Sequence, residues 1–356
     1  MSSLKCGSSY YYYRRHCHHR LYKRGITRRE ISLKLRGFLA GNMNIIILPL
    51  LIANHLSLNN ETWRYGPEIR YNVTYNATTK PQQQATNQTD RTAMYSIEAQ
   101  LKCWPRRSKI LNCRLSEPTA LLSFFNSSSA KPLVSPSDDG EKQLAKFNFE
   151  MRFNRFGIKQ LFVPSTISPP LLDMIRSIVN QFHTGIDLTD KAEGTYRAWE
   201  NFTTGDCFTS YTIKLSDPAD KSGDDVPSKK WQSRMTTSIK KTRNIEKCRV
   251  MAPYFFGSRE NWRDNTRVIV NLKSSESSII ANETYFSSTT ETHLELNNAK
   301  SRPPETMRMY EKMSVTFDSL VPAEGEIEKI VDPASAGIVT GKWLHDDFSK
   351  EDLSEE

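Results

Sequence analysis

Between Gly205 and Leu215 every second residue, Cys207, Thr209, Tyr211, Ile213 and Leu215, falls on one face of an extended chain, and the basic run Lys241 to Lys247 later ends on a second cysteine, Cys248. Alternation with period two marks a strand that buries one face. The pattern returns at Ile69, Tyr71, Val73 and Tyr75, at Tyr95, Ile97, Ala99, Leu101 and Cys103, at Leu111, Cys113 and Leu115, and at Phe147, Phe149, Met151 and Phe153. Ile158 to Val163, Val268 to Leu272, His293 to Leu296 and Met313 to Phe317 add further short strands. A chain patterned in this way is mainly antiparallel sheet.

One stretch breaks that period. Ser168 suits an N-cap, Pro169 suits the first helical position, and Leu171, Leu172, Ile175, Ile178, Val179 and Phe182 recur at helical spacing until Gly185. Arg176, Asn180 and Gln181 fall on the opposite, polar side. The reading is a mainly β (α+β) fold, an antiparallel β barrel or strongly curved sheet around one central helix, over residues 55–332. Thr78 to Thr92 and Asn126 to Glu141 read as loops. Residues 333–356 read as an acidic polar tail, in which Gly341-Lys342 lacks the spacing of a phosphate loop.

A length of 356 residues and an apolar share of 37% suffice for a sizeable core. The formal charge of +9 sits at the front: residues 1–36 hold ten Lys or Arg against one acid, Glu30, and the remainder carries 39 bases and 39 acids. A folded part without excess charge argues against nucleic acid as a partner. Behind the basic flank, the nine apolar residues Ile45 to Ala53 read as a secretory signal, too short for a span of about 20 residues. Residues 1–54 are therefore expected to be a basic leader and signal-like segment, with Met1 or Met43 as alternative starts, and the protein to be secreted and extracellular. His16-Cys17-His18-His19 offers zinc-ligand types but no second half at finger spacing, so no metal is expected.

Four cysteines follow the apolar run. Cys103 and Cys113 point the same way on neighbouring antiparallel strands joined by a turn at Trp104 to Lys109, which pairs them and leaves Cys207 with Cys248. Seven Asn-x-Ser/Thr sequons, at Asn60, Asn72, Asn76, Asn87, Asn126, Asn201 and Asn282, are glycosylation candidates in a secreted chain. No Gly-x-Ser-x-Gly elbow, paired-histidine metal helix or glycine-rich strand-to-helix turn is present. His183 falls at the end of the helical stretch, where a positive charge is favourable. The chain is read as no enzyme, requiring no cofactor.

The opening Trp63-x-Tyr65-Gly66, the Phe-rich hairpin at 147–163, the helix after it and the Glu200 to Tyr211 strand with Gly205-Asp206-Cys207 come in the order of one family. Over Trp63 to Asp332 the chain resembles the amino-terminal domain of the vitellogenins, large lipid transfer proteins. The resemblance implies a β barrel wrapped around a helix, a disulfide matching Cys207 with Cys248, and lipid as the cargo of full-length members. It also implies docking to a low-density-lipoprotein-receptor-type receptor through bases just before the second cysteine. The matching positions are Lys241 and Arg243, with Lys240 added, on an exposed strand that meets acidic, calcium-stiffened receptor modules. Vitellogenins continue into a helical superhelix and further sheets that enclose lipid. This chain is therefore expected to be a fragment, or a truncated form that keeps the recognition domain and lacks the lipid cavity. The expected function is that of a secreted vitellogenin-like lipid transporter domain, a storage lipoprotein component that docks to its receptor. The alternative is an extracellular module that contacts anionic glycans or a signalling ligand through Lys229 to Lys247, a run of seven bases and one acid.

Overall fold

A computed structural model describes residues 65–81, 91–107, 109–126, 133–136, 143, 145–188, 191–202, 205–216, 236–251, 268–282, 285–298, 305–325 and 328–337. The basic leader, the apolar run, the His16 to His19 cluster, Gly341-Lys342 and the sequons at Asn60 and Asn87 lie outside the described residues. Strands β1 (Pro67–Pro81), β2 (Arg91–Arg107), β3 (Ile110–Asn126), β4 (Leu133–Pro136), β5 (Asn148–Asn154) and β6 (Gly157–Pro164) precede the helix α1 (Pro169–Val179). A single 3-10 turn (Asn180–Phe182) extends it, and β7 (Gly194–Phe202), β8 (Gly205–Ser216), β9 (Thr236–Met251), β10 (Val268–Ala281), β11 (Phe286–Asn298), β12 (Glu305–Pro322) and β13 (Pro333–Ala336) follow.

All thirteen strands join one sheet, and every pairing is antiparallel. Its path runs β13-β6-β5-β3-β2-β1-β12-β11-β10-β9-β8-β7, with β4 attached to β3. Two meandering arms therefore meet at the centre, where β1 lies against β12. The expected alternation sets the faces: Ile69, Tyr71, Val73 and Tyr75 are buried on β1, and Cys207, Thr209, Tyr211 and Ile213 on β8.

The sheet is curled, as two close approaches require. A Cβ built on Gly157, the first residue of β6, would lie 2.9 Å from His183 Nδ1, and one on Gly185 would lie 2.4 Å from the Tyr211 hydroxyl on β8. In a flat sheet β6 and β8 would stand nine strand spacings apart, roughly 43 Å. Here both touch a segment of three residues. The end strands β13 and β7 are not hydrogen-bonded to each other among the described residues, so the strongly curved sheet, rather than a barrel closed by hydrogen bonds, describes the architecture.

This curl explains why the helix departs from the expected amphipathic pattern. Arg176, Asn180 and Gln181, on the polar side opposite the apolar stripe, are buried with Asp173 and Ser177 because strands surround α1. The Arg176 guanidinium donates to Asp173 Oδ1 (3.0 Å) and to the Gly337 carbonyl (2.7 Å). Gln181 Oε1 accepts from Ser288 Oγ and Thr290 Oγ1 on β11, each at 3.1 Å. Buried polar groups on the helix thus find partners on the helix itself, at Gly337 and, for Gln181, on the inner face of the sheet, as burial demands. Ser168 holds the N-cap position but makes no side-chain cap; the proline-rich first turn supplies the helical φ instead.

Three further differences are local. Trp104 to Arg107, expected to be part of a turn, continue β2, and Arg107 lies opposite Ile110. Leu133–Pro136, within an expected loop, forms β4. Pro333–Ala336, assigned to the acidic tail, forms β13 along the edge of β6. Disulfides join Cys103 to Cys113, which face each other across β2 and β3, and Cys207 to Cys248 across β8 and β9.

Candidate functional site at the basic strand

The cations just before Cys248 lie on β9, and strand alternation decides which of them meets solvent. Ile239, Lys241 and Arg243 share the inner face, whereas Lys240, Thr242 and Asn244 point outward. Lys241 and Arg243 are therefore not presented on an exposed face: their side chains are 1% and 0% exposed, against 60% for Lys240. The expected trio is split by the pleat of its own strand.

Burying two cations requires a counter-charge. Glu200, inward on β7, supplies it. Lys241 Nζ donates to Glu200 Oε1 (2.7 Å) and to the His183 carbonyl (2.9 Å); Arg243 donates to Glu200 Oε2 (3.2 Å) and to Ser275 Oγ on β10 (2.7 Å). Residues from β7, β9, β10 and the segment after α1 thus converge on one carboxylate. The sequence carried a signal for it, because Glu200 has the same phase as Tyr196 and Ala198 on β7, but nothing local names its partners.

The protonation states follow from burial and from these charges. Burial would raise the Glu200 carboxyl, but Lys241 and Arg243 outweigh it and hold its pKa at about 2. Burial lowers Lys241 and Arg243, with Glu200 opposing. Burial and the neighbouring Glu200 charge push the Tyr211 hydroxyl up. His183, expected to act as a helix-end cation, is buried, and burial together with Lys241 and Arg243 lowers it to about 4 against the pull of Glu200. Its Nδ1 instead accepts from the Ile158 backbone N–H at 3.1 Å. This group therefore makes the fold acid-sensitive.

The folded His183 takes up its proton only near pH 4, whereas the unfolded chain takes one up near 6.5. Its contribution is complete above pH 6.5 and should be lost by roughly 3 kcal/mol as pH falls to 4. The Glu200 contribution is lost later, between about pH 4.5 and 2. Urea midpoints at pH 7, 5.5 and 4 read this directly. His183→Gln should flatten the upper part of the profile, and equal slopes in both proteins would refute the assignment.

Between Asn244 and Cys248 the β9 register slips, with Asn244 opposite Phe208 and Cys248 opposite Cys207. Ile245, Glu246 and Lys247 form the resulting bulge, which holds Lys247 exposed beside the disulfide. Lys240 and Lys247 are thus two expected cations of the run that reach solvent; Lys240 makes a 2.9 Å ion pair with Glu276. Of the remaining sequons, Asn72, Asn76 and Asn201 are exposed, and Asn282 is half-buried with its amide donating to Thr236 Oγ1 at 3.4 Å. Asn126 ends β3. No group of three or more metal-ligating side chains assembles among the described residues, and none of their helices is long and apolar enough to cross a membrane.

Comparisons with known proteins agree with this architecture. The model of the vitellogenin N-terminal domain family matches residues 65–321. A solved structure of lipovitellin, reported for its lipid-protein interactions, is similar in fold with a TM-score of 0.53 at 14% identity. The match covers 80% of this chain and 28% of that one, so the chain spans a little over a quarter of the lipovitellin it resembles. No curated protein matches the chain. A family match across most of the sheet, joined to that likeness in fold, shows that the chain belongs to the vitellogenin N-terminal domain family.

Proposed function

We propose that this chain serves as the N-terminal domain of a secreted, glycosylated lipid carrier of the vitellogenin kind, and that it acts by docking to a low-density-lipoprotein-receptor-type receptor rather than by catalysis. The observation that carries the reading is the family match over residues 65–321 on a sheet curled around one helix. Lipid as cargo is supported by the likeness to lipovitellin. Inside the curl, space is taken by α1, Phe182 and the strand side chains packed on them, so lipid is held against other surfaces of the carrier. Two disulfides suit an oxidising compartment, and the exposed amides of Asn72, Asn76 and Asn201 suit glycan attachment.

Receptor docking of this kind uses Lys240 and Lys247, because Lys241 and Arg243 are committed to Glu200. The ion pair between Lys240 and Glu276 is exposed on both sides, so exchanging it for a receptor carboxylate costs little. The secreted chain should bind a calcium-loaded receptor ectodomain, and Lys240→Glu with Lys247→Glu should weaken that binding at least about tenfold while leaving the thermal midpoint within about 2 °C. Unchanged affinity in the double variant would refute this contact. Binding that ignores calcium, collapses in salt and is shared by heparin-like polymers would favour the glycan reading instead.

A further inference from the structure

The open ends of the curled sheet leave a cleft of about 680 Å³ between β7 and the start of β6. β7 is hydrogen-bonded to β8 alone among the described residues, so its nine residues carry one free strand edge, and Tyr196 to Asn201 of it line this cleft. An edge of that length is a template for another strand, and natural sheets cover or charge such edges. On this one the exposed charge is positive, because Glu200, the acid of the strand, is buried against Lys241 and Arg243. Lys159, Lys191 and Arg197 line the cleft, are exposed, and form no ion pair among the described residues. Asp187, the half-buried acid of the lining, faces Arg155 at 3.6 Å.

Aromatic rings stand beside these cations. Phe156 and Trp199 are 42% and 40% exposed on opposite walls. Each carries an arginine, Arg155 at 4.9 Å from the Phe156 ring centroid and Arg249 at 3.8 Å from that of Trp199, and Lys191 lies 4.7 Å over Tyr196. Exposed Trp and Arg side by side are the residue types that carry binding energy at interfaces. The combination of free backbone, apolar rings and unneutralised cations specifies its ligand.

We infer that the β7 cleft takes up an extended, acidic segment of a protein partner, which adds as a strand to the β7 edge. Backbone hydrogen bonds to β7 supply register, carboxylates meet Lys159, Lys191 and Arg197, and intervening apolar side chains sit against Phe156 and Trp199. A second copy of this chain fits less well. Two β7 edges pairing antiparallel about a two-fold axis at the centre of the strand would set Arg197 diagonally across from its own equivalent, placing like charges within reach of each other. This site needs no calcium and differs from the receptor contact in using the β7 edge, although Trp199 packs on Phe208, the ring beneath Lys247.

The test titrates the full secreted chain, in calcium-free buffer, into a fluorescein-labelled ten-residue peptide of alternating Glu and Val, read by anisotropy. Saturable binding is expected, with affinity falling by roughly tenfold or more in Lys191→Glu/Arg197→Glu and, separately, in Trp199→Ala. Lys214→Glu, exposed on β8 outside the cleft, should bind as the parent does. The same peptide N-methylated at alternate residues keeps its charge but loses the donors that a strand edge needs, and should bind at least about tenfold more weakly. Equal affinity for the methylated peptide, unchanged affinity in the folded charge-reversal variant, or no binding by the parent would each overturn the inference. A peptide-free dimer in sedimentation that Arg197→Glu strengthens would overturn it too, by assigning the edge to a second copy.

Discussion

Glu200→Gln should lower the unfolding free energy by about 3–5 kcal/mol, because it leaves Lys241 and Arg243 buried without their counter-charge. Of all the charges in this fold, those three depend most on one another. Lys241 Nζ would keep the His183 carbonyl, and Arg243 would keep Ser275, but neither partner carries a charge. A domain stable by 5–15 kcal/mol loses a large fraction of its margin, so secretion should fall with the urea midpoint. Replacing all three residues, Glu200→Leu with Lys241→Met and Arg243→Met, removes the desolvated charges together and should recover most of the loss. A Glu200→Gln midpoint equal to that of the parent would refute the account. Reversing Lys241 and Arg243 to glutamate would place three carboxylates in one dry site. That variant should fail to fold, and any receptor binding it lost would say nothing about a contact surface.

The second large effect concerns the Cys207–Cys248 bridge, which closes a loop 41 residues long. Cys207→Ala with Cys248→Ala frees the unfolded chain by an entropy worth about 4 kcal/mol, compared with about 3 kcal/mol for the ten-residue Cys103–Cys113 loop. The difference is expected in that order for a further reason. Cys103 and Cys113 face each other across a hairpin that its own register already secures, whereas Cys207–Cys248 sits where the β8–β9 register slips. Removing it frees the bulge as well as the loop. Guanidinium titrations of the two double-alanine variants should rank 207–248 as the more destabilised; the opposite ranking would show that the bulge holds without its staple.

Most strands were legible because period-two burial is written locally: β1 and β5 bury the positions whose alternation announces them, and β8 does so from Cys207 to Ile213, with Leu215 half-buried. β4 and β13 went unread because they are short, and Pro333-Ala-Ser-Ala336 carries almost no pattern; β7 was merged at Glu200 into the strand that reaches Tyr211, whereas it ends at Phe202 and β8 begins at Gly205. The helix was legible in its extent but not in its surroundings. Its polar face resembles that of a surface helix, and only a sheet curled far enough to touch Gly157 and Gly185 from two sides turns Arg176 and Gln181 inward. The basic strand shows the same limit. Lys241 and Arg243 share the phase of Ile239, which is a core position, yet a charged residue type reads as solvent-facing until its partner is known. That partner, Glu200, lies 41 residues before Lys241 and is brought there only by the pairing of β7 with β8 and β8 with β9.

The meeting of the two arms at β1 and β12 sets a timetable for biosynthesis. β1 to β6 and β7 to β12 each grow largely by local hairpins and can form as they leave the ribosome, but Pro67 finds Pro322 only after β12 has been made, and β13 joins β6 last. At about 5–20 residues per second, the 158 residues from Pro164 to Pro322 take roughly 8–32 s, in which one side of β1 stays open although β1 to β6 have already been made. A nascent chain with an open strand edge of that length is a substrate for chaperones and for self-association alike. The yield of this domain therefore depends on what shields β1 until translation reaches its partner as well as on the strength of its finished core.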